Sequence, residues 1–279
     1  MHPGWDCHGL PIEHKVVKEL QAEGKTLPPG ELRKRCQEFS QKNIDAMTQQ
    51  FKRQGLLADW AHEYKTMAPA YEATTIRAFA SFVEQGLVYR AKKSVMWSIP
   101  FRTALAEAEI EYHEHVSPSI WVPFFRTDDQ NTAFVIWTTT PWTLPSNRAV
   151  ALNPRLEYVT LESGGKRYIV AETLAERFVG ATELKDAKQV AKAKGETFNG
   201  TKLVHPFMKE GSHVVMAEFV SAEDGTGCVH IAPGHGQEDY VLGMQLGLEV
   251  YSPIGDDGKY MDDGRVPTEL VGLSTLEKN

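Results

Sequence analysis

The sequence predicts a mixed α/β fold in two parts, and three observations carry that expectation. Before about residue 116, apolar residues recur at helical spacing in two long stretches. After Ser117-Pro118, short apolar or alternating runs dominate, separated by turns such as Ser163-Gly164-Gly165 and Phe198-Asn199-Gly200. The composition, 42% hydrophobic and 24% charged over 279 residues, is that of a globular chain long enough for two domains.

Taken in order, the loop GWDCHGLPIE (4–13) leads into a helix expected over 13–22. Its Asp6 and His8 admit catalysis, a metal or an ordinary turn. Pro28-Pro29-Gly30 then punctuates before a long helix expected over 31–54. There Leu32, Cys36, Phe39, Ile44, Met47 and Phe51 form an apolar stripe, and Gly55 supplies the stop. Cys36 on that stripe reads as core. A third helix is expected over 70–85, with Ile76, Phe79, Phe82 and Val83 turned inward. Short strands are expected over 87–89, 94–97 and 108–112. In the last of these Glu107, Glu109 and Glu111 would share a solvated face.

Beyond residue 116, strands are expected over 120–125, 133–137, 158–161, 167–170, 202–204 and 213–216. A short helix is expected over 171–178, and 187–195 reads as an exposed strand or helix. An apolar run at 228–232 surrounds His230. A helix over 237–246 carries Asp239 in its first turn, where the macrodipole favours an anion. The acidic, glycine-punctuated tail at 255–264 reads as a turn, and a further helix is expected to begin near Asn279.

The net charge of −7 excludes a globally basic nucleic-acid surface, so any such contact must be local. Three widely spaced cysteines argue against a disulfide framework and for a reducing compartment. No apolar run approaches the roughly 18 residues of a membrane helix, and no secretory leader is visible. A cytoplasmic protein without a membrane partner is therefore expected. The abrupt opening suggests a piece of something longer.

Two stretches concentrate candidate chemistry. In WTTTPWTLPSN (137–147), Pro141 and Pro145 break a strand, so Thr138, Thr139, Thr140 and Thr143 fall where it becomes a loop. Hydroxyls there can hold a polar substrate or a water, or merely form turns. In GTGCVHIAPGHGQED (225–239), the glycines allow close backbone approach, but neither dinucleotide nor phosphate-loop spacing is present. His230, His235 and Asp239 admit a metallohydrolase reading, although their spacing matches no strong metal signature.

GWDCHGLPIE, WTTTPWTLPSN and GTGCVHIAPGHGQED together, with ALAEAEIEY (104–112), resemble the isoleucyl-tRNA synthetases of class I, over essentially the whole chain. The resemblance implies that residues 1–116 flank the insertion on the catalytic-domain side and that 117–279 form an inserted, β-barrel-like editing domain, truncated at its C-terminal end. Its implied activity is hydrolysis of valine mischarged on isoleucine tRNA. By position, Trp137, Thr138, Thr139, Thr140 and Thr143 would line the editing pocket and Asn147 would support it. His230 would meet the substrate side chain and terminal ribose, and Asp239 would grip the α-ammonium. Asp6 would bind the isoleucine amine in the separate synthetic site.

The implied partners are isoleucine tRNA and a small-molecule amino acid, on a monomer. Editing is expected to need no cofactor, and the full-length parent would use ATP with Mg. The HxGH and KMSKS motifs that the family uses for adenylate formation are absent, so this chain alone should make no aminoacyl-adenylate. Ser98 and Phe101 stand where many relatives carry a Cys-x-x-Cys zinc pair, so no metal is expected there. The competing expectation is an inactive module that only cradles the tRNA acceptor end.

Overall fold

The computed structural model describes residues 1–184 and 186–276, so the helix expected to begin near Asn279 falls outside the described residues. The chain divides into two compact units, Met1–Ala91 and Lys92–Asn279.

In the first unit, β1 (Gly4–Trp5), α1 (Leu10–Ala22), α2 (Pro29–Arg53), β2 (Tyr64–Lys65) and α3 (Pro69–Glu84) follow in order. Each helix carries a proline in its first two positions, where a missing N–H costs nothing. Helix α1 begins before Glu13 because Gly9, at φ 114°, makes the turn into it and Pro11 fits its first turn. Strands β1 and β2 pair in parallel, and Trp5, Cys7 and Ile44 form a small core with Trp60 and Met67. The expected inward face of α3 is corrected. Ile76, Phe79, Phe82 and Val83 are each at least half exposed, and no residue of that helix is buried. Their spacing is helical, but spacing reports a stripe and not whether a neighbour covers it.

The second unit opens with a small antiparallel pair, β3 (Trp97–Ser98) and β4 (Thr103–Ala104). The strand expected over 87–89 is absent, and that over 94–97 shrinks to its last residue, in β3. The strand expected over 108–112 is instead a 3-10 turn, Glu107–Glu109. The Glu109 carboxylate accepts the Ala106 N–H at 2.8 Å and closes that turn, so the three glutamates share no strand face.

The remaining strands are β5 (Ile120–Arg126), β6 (Thr132–Thr138), β7 (Ala149–Leu152), β8 (Glu157–Ser163), β9 (Lys166–Ala171), β10 (Lys188–Lys194), β11 (Lys202–Val204), β12 (Ser212–Met216) and β13 (Cys228–Ile231). Helix α4 (Ala175–Thr182) follows β9, and α5 (Gln237–Leu246) follows β13. The strands form one mixed sheet in the order β10-β8-β9-β6-β5-β11-β12-β7-β13. Pairs β6–β9 and β7–β12 are parallel. Strand β13, at one edge, returns against β6 near the middle, so the sheet curls into an open barrel. Phe124, Phe134, Ile136, Val150, Leu152 and Ile169 fill it.

Segment 187–195 resolves as an exposed edge strand, β10, paired with β8 through a bulge between Gln189 and Ala191. Its lysines suit an edge that must not recruit another strand. Strand β7 is not among the strands the sequence predicts. All four of its residues are apolar and buried, so no alternation marks it. It nevertheless positions the site, because its register sets Val150 opposite His230.

Candidate functional site

Four segments of the second unit meet at one end of the barrel. Strand β6 ends at Thr138, and Pro141–Ser146 then forms a 3-10 turn that hands the chain to β7. Strand β13 ends at Ile231, and the loop 232–236 leads into α5. Between them lies a cavity of about 370 Å³, within the range of small-ligand sites. Trp137, Thr138, Thr139, Thr140, Thr143, His230 and Asp239 all line it.

The threonine row is held by its own hydrogen bonds. Thr140 donates its N–H to Thr138 Oγ at 3.1 Å, and the Thr138 and Thr140 hydroxyls lie 3.4 Å apart. Thr143 donates its hydroxyl to the Thr140 carbonyl at 2.9 Å. Having used its one proton, that hydroxyl can only accept from His230 Nε2, 2.9 Å away. On the other side of the ring, Asn147 Nδ2 donates to the Ala149 carbonyl and to His230 Nδ1, each at 2.8 Å. The Ala149 carbonyl accepts only, which fixes which way the Asn147 amide faces. His230 is therefore a neutral imidazole with its proton on Nε2 and both nitrogens occupied. Burial, with His205 and His235 nearby, pushes its pKa down to about 3.

Asp239 is the third residue of α5. Its Oδ2 accepts the Ala232 N–H at 2.9 Å. Gly236 caps the helix because a Cβ there would stand 2.8 Å from the Asp239 carboxyl carbon. Burial raises the pKa of Asp239, the Ala232 N–H opposes that rise, and Glu238 adds to it. Among the described residues, Asp239 is the only acidic one that lines the cavity, across from neutral hydroxyls. A small cation beside Asp239 and a neutral branched group beside the threonines and His230 match that distribution of charge.

His235 also reaches the cavity. It shares a 2.8 Å hydrogen bond with Ser146 Oγ and packs edge-on against Trp142, with ring centroids 5.2 Å apart. Burial lowers its pKa to about 4. A third histidine, His205, is buried beneath the 3-10 turn and donates Nε2–H to the Leu144 carbonyl at 2.9 Å. Its Nδ1 accepts two backbone N–H groups, from Phe207 and Met208.

Two candidate residues lie off the cavity wall. Asn147 sits behind His230 and acts on the cavity through it. Asp6 is an exposed loop residue of the first unit, 3.5 Å from Thr66 Oγ. Trp142, the second indole of the 137–147 stretch, lines the cavity with Trp137, as do Val229, Ala232 and Gly236, which carry no polar side chain to flag them in the sequence. Among the described residues, no group of three or more His, Cys, Asp or Glu side chains could hold a metal ion. No helix among them is long and apolar enough to cross a membrane.

The family model for tRNA synthetases of class I (I, L, M and V) matches residues 1–222. The isoleucine–tRNA ligase of Thermotoga neapolitana is 48% identical over 263 residues, 94% of this chain and 29% of that protein. The isoleucine–tRNA ligase of Nitratidesulfovibrio vulgaris (strain DP4) is 46% identical over 288 residues, 99% of this chain and 30% of that protein. The chain thus spans less than a third of the length of the curated relatives it matches. Among solved structures, the P. falciparum cytosolic leucyl-tRNA synthetase editing domain is 18% identical and covers 39% of this chain and 44% of that one. Its TM-score is 0.35, too partial a likeness to bear on function.

Proposed function

This chain belongs to the class I tRNA synthetases (I, L, M and V), and on that premise we propose that its second unit hydrolyses valine mischarged on isoleucine tRNA. The observation that carries the reading is a carboxylate, Asp239, facing a row of neutral hydroxyls across a cavity of about 370 Å³. An aminoacyl ester brings an α-ammonium and a small branched side chain, and the cavity offers a partner for each. The demand for such a site is physical. One methylene gives a synthetic site only about 1–3 kcal/mol of discrimination, a value established on enzymes of this class and not from this chain.

In this reading Asp239 holds the ammonium, with Oδ2 fixed by Ala232 so that the carboxylate cannot swing away. His230 acts as a wall. Both of its nitrogens are bound to Thr143 and Asn147, so it neither takes a proton nor ligates a metal without breaking one of those bonds. That occupancy also weighs against a metallohydrolase built on His230, His235 and Asp239. Thr139 and Thr140 sit at the exposed edge of the row, where their hydroxyls orient a water toward the ester carbonyl. No protein nucleophile is required, because the ester is already activated and positioning supplies the rate. The tRNA terminal hydroxyls assist.

Residues 117–279 are proposed as the inserted editing domain and 1–116 as its catalytic-side flank, with Asp6 serving the synthetic site. The whole ligase would use ATP with Mg to charge isoleucine tRNA in the cytoplasm, as a monomer. Incubating the chain with valyl- and isoleucyl-tRNA in parallel tests the reading. Selective release of valine is expected; binding of both with release of neither would instead make the unit an acceptor-end cradle.

A further inference from the structure

We propose that Arg148 is a positioning residue that acts through Asn147 to hold His230 in its Nε2–H tautomer and so keeps the larger amino acid out. Arg148 is buried immediately before β7, next in the chain to Asn147. Its Nη1 donates to the Asn147 carbonyl at 2.7 Å. Its Nε donates to Glu249 Oε2 at 3.1 Å, and its Nη2 lies 3.1 Å from the same oxygen without hydrogen-bond geometry. The guanidinium also sits over the Tyr251 ring, 4.5 Å from its centroid. Three independent contacts therefore fix one planar group, and one of its donors is aimed at the residue that holds His230.

The geometry of Asn147 explains why this matters. Its N–H donates to the Leu144 carbonyl at 2.9 Å, and its carbonyl receives the Arg148 guanidinium. With its backbone held on both sides, its side chain can aim Nδ2 at His230 Nδ1. That donor makes Nδ1 an acceptor and leaves the ring proton on Nε2, facing Thr143. If the Asn147 backbone rotates, the amide loses its aim, the other tautomer becomes accessible, and the imidazole wall can tilt.

Glu249 is not a sole partner of Arg148. Arg265 binds both of its oxygens at 2.9 Å and packs over the same Tyr251 ring, 4.0 Å from its centroid. Removing the Arg148 cation therefore leaves Glu249, an exposed carboxylate, still paired with Arg265. Arg148→Met keeps an unbranched apolar stem and deletes the fork that lies over Tyr251. Arg148→Lys keeps the charge but cannot serve both Glu249 and the Asn147 carbonyl in the same geometry.

The kinetic consequence rests on the editing function proposed above; the tautomer does not. The test uses the 279-residue chain with 15N-labelled histidine, with His230 assigned through His230→Gln. At pH 7 the parent is expected to show His230 as a single Nε2–H tautomer and Arg148→Met a mixture, with Arg148→Lys between them. In parallel deacylation assays, Arg148→Met is expected to lose roughly tenfold of its preference for valyl- over isoleucyl-tRNA. The loss should come mainly from faster isoleucine release. An unaltered Nε2–H signature in both variants overturns the proposal, as does a parent ring protonated on Nδ1. A parent that releases no valine at all defeats the editing function and leaves the tautomer readout to decide the role of Arg148.

Discussion

Replacing Asp239 by Asn separates the function of this carboxylate from its effect on folding. The amide keeps the shape and an oxygen for the Ala232 N–H, so the 2.9 Å bond that anchors the residue can persist. The charge is removed. An ammonium about 3 Å from a carboxylate gains roughly 5 kcal/mol at an effective dielectric of ~20. Desolvating the ammonium and the partial exposure of Asp239 cancel more than half, leaving about 2 kcal/mol. That corresponds to a loss of about thirtyfold in kcat/KM for valyl-tRNA deacylation. Stability should move the other way. Burial raises the folded-state pKa of Asp239 above its ordinary 3.8. A carboxyl so shifted contributes stability below its unfolded pKa and loses it as pH rises through its folded pKa. At pH 7 the charged form is thus a cost, and the variant should melt at the same temperature as the parent or higher. The parent's acid limb of activity, as Asp239 protonates above the usual Asp range, should be absent in the variant. Thermal melts and single-turnover deacylation on the same preparations check all three. Undiminished valine release, or a lowered melting temperature accompanied by unaltered kinetics, would refute the assigned clamp.

Further outcomes concern the cavity's support. Burial pushes the pKa of His230 down to about 3 and that of the partly buried His235 down to about 4, and lowers that of His205 as well. Their contribution to stability is present above the unfolded pKa of about 6.5 and is lost as pH falls toward those folded values. Melting temperature should therefore fall between pH 6.5 and 4.5, and less steeply in His235→Gln. Thr143→Val keeps the shape but leaves the buried His230 Nε2–H without its acceptor, at about 1–3 kcal/mol by urea denaturation. Gly234→Ala places a Cβ 2.0 Å from the Tyr251 carbonyl oxygen, so the loop before His235 must move. It should cost at least about 2 kcal/mol and reduce valine release, read from denaturation and deacylation together.

The sequence carried much of this site because its chemistry is concentrated. The hydroxyl row and the His230–Asp239 stretch each announce polar residues where a strand ends, and the fold brings both to one cavity. The strands of the second unit were legible wherever they alternate or end in turns. Strand β7 was not, because a run buried on both faces has no period to read. The pairing of Asn147 with His230 was invisible for the same reason, since β7 and β13 supply the register that joins them. In the first unit, the helical spacing of α3 was correct and its burial was not, because a stripe does not name its neighbour. The turn at Glu107–Glu109 arose from one side-chain-to-backbone bond that alternation cannot foresee.

The central claim is that one cavity grips the ammonium with Asp239 while His230 and the threonines limit the side chain. A crystal structure of the chain with a non-hydrolysable valyl analogue of the charged 3′ adenosine tests it most directly. The account expects the ammonium within hydrogen-bond distance of the Asp239 carboxylate and the valyl methyls against His230 and Thr143. An analogue bound elsewhere, or seated here with its ammonium turned away from Asp239, would contradict it.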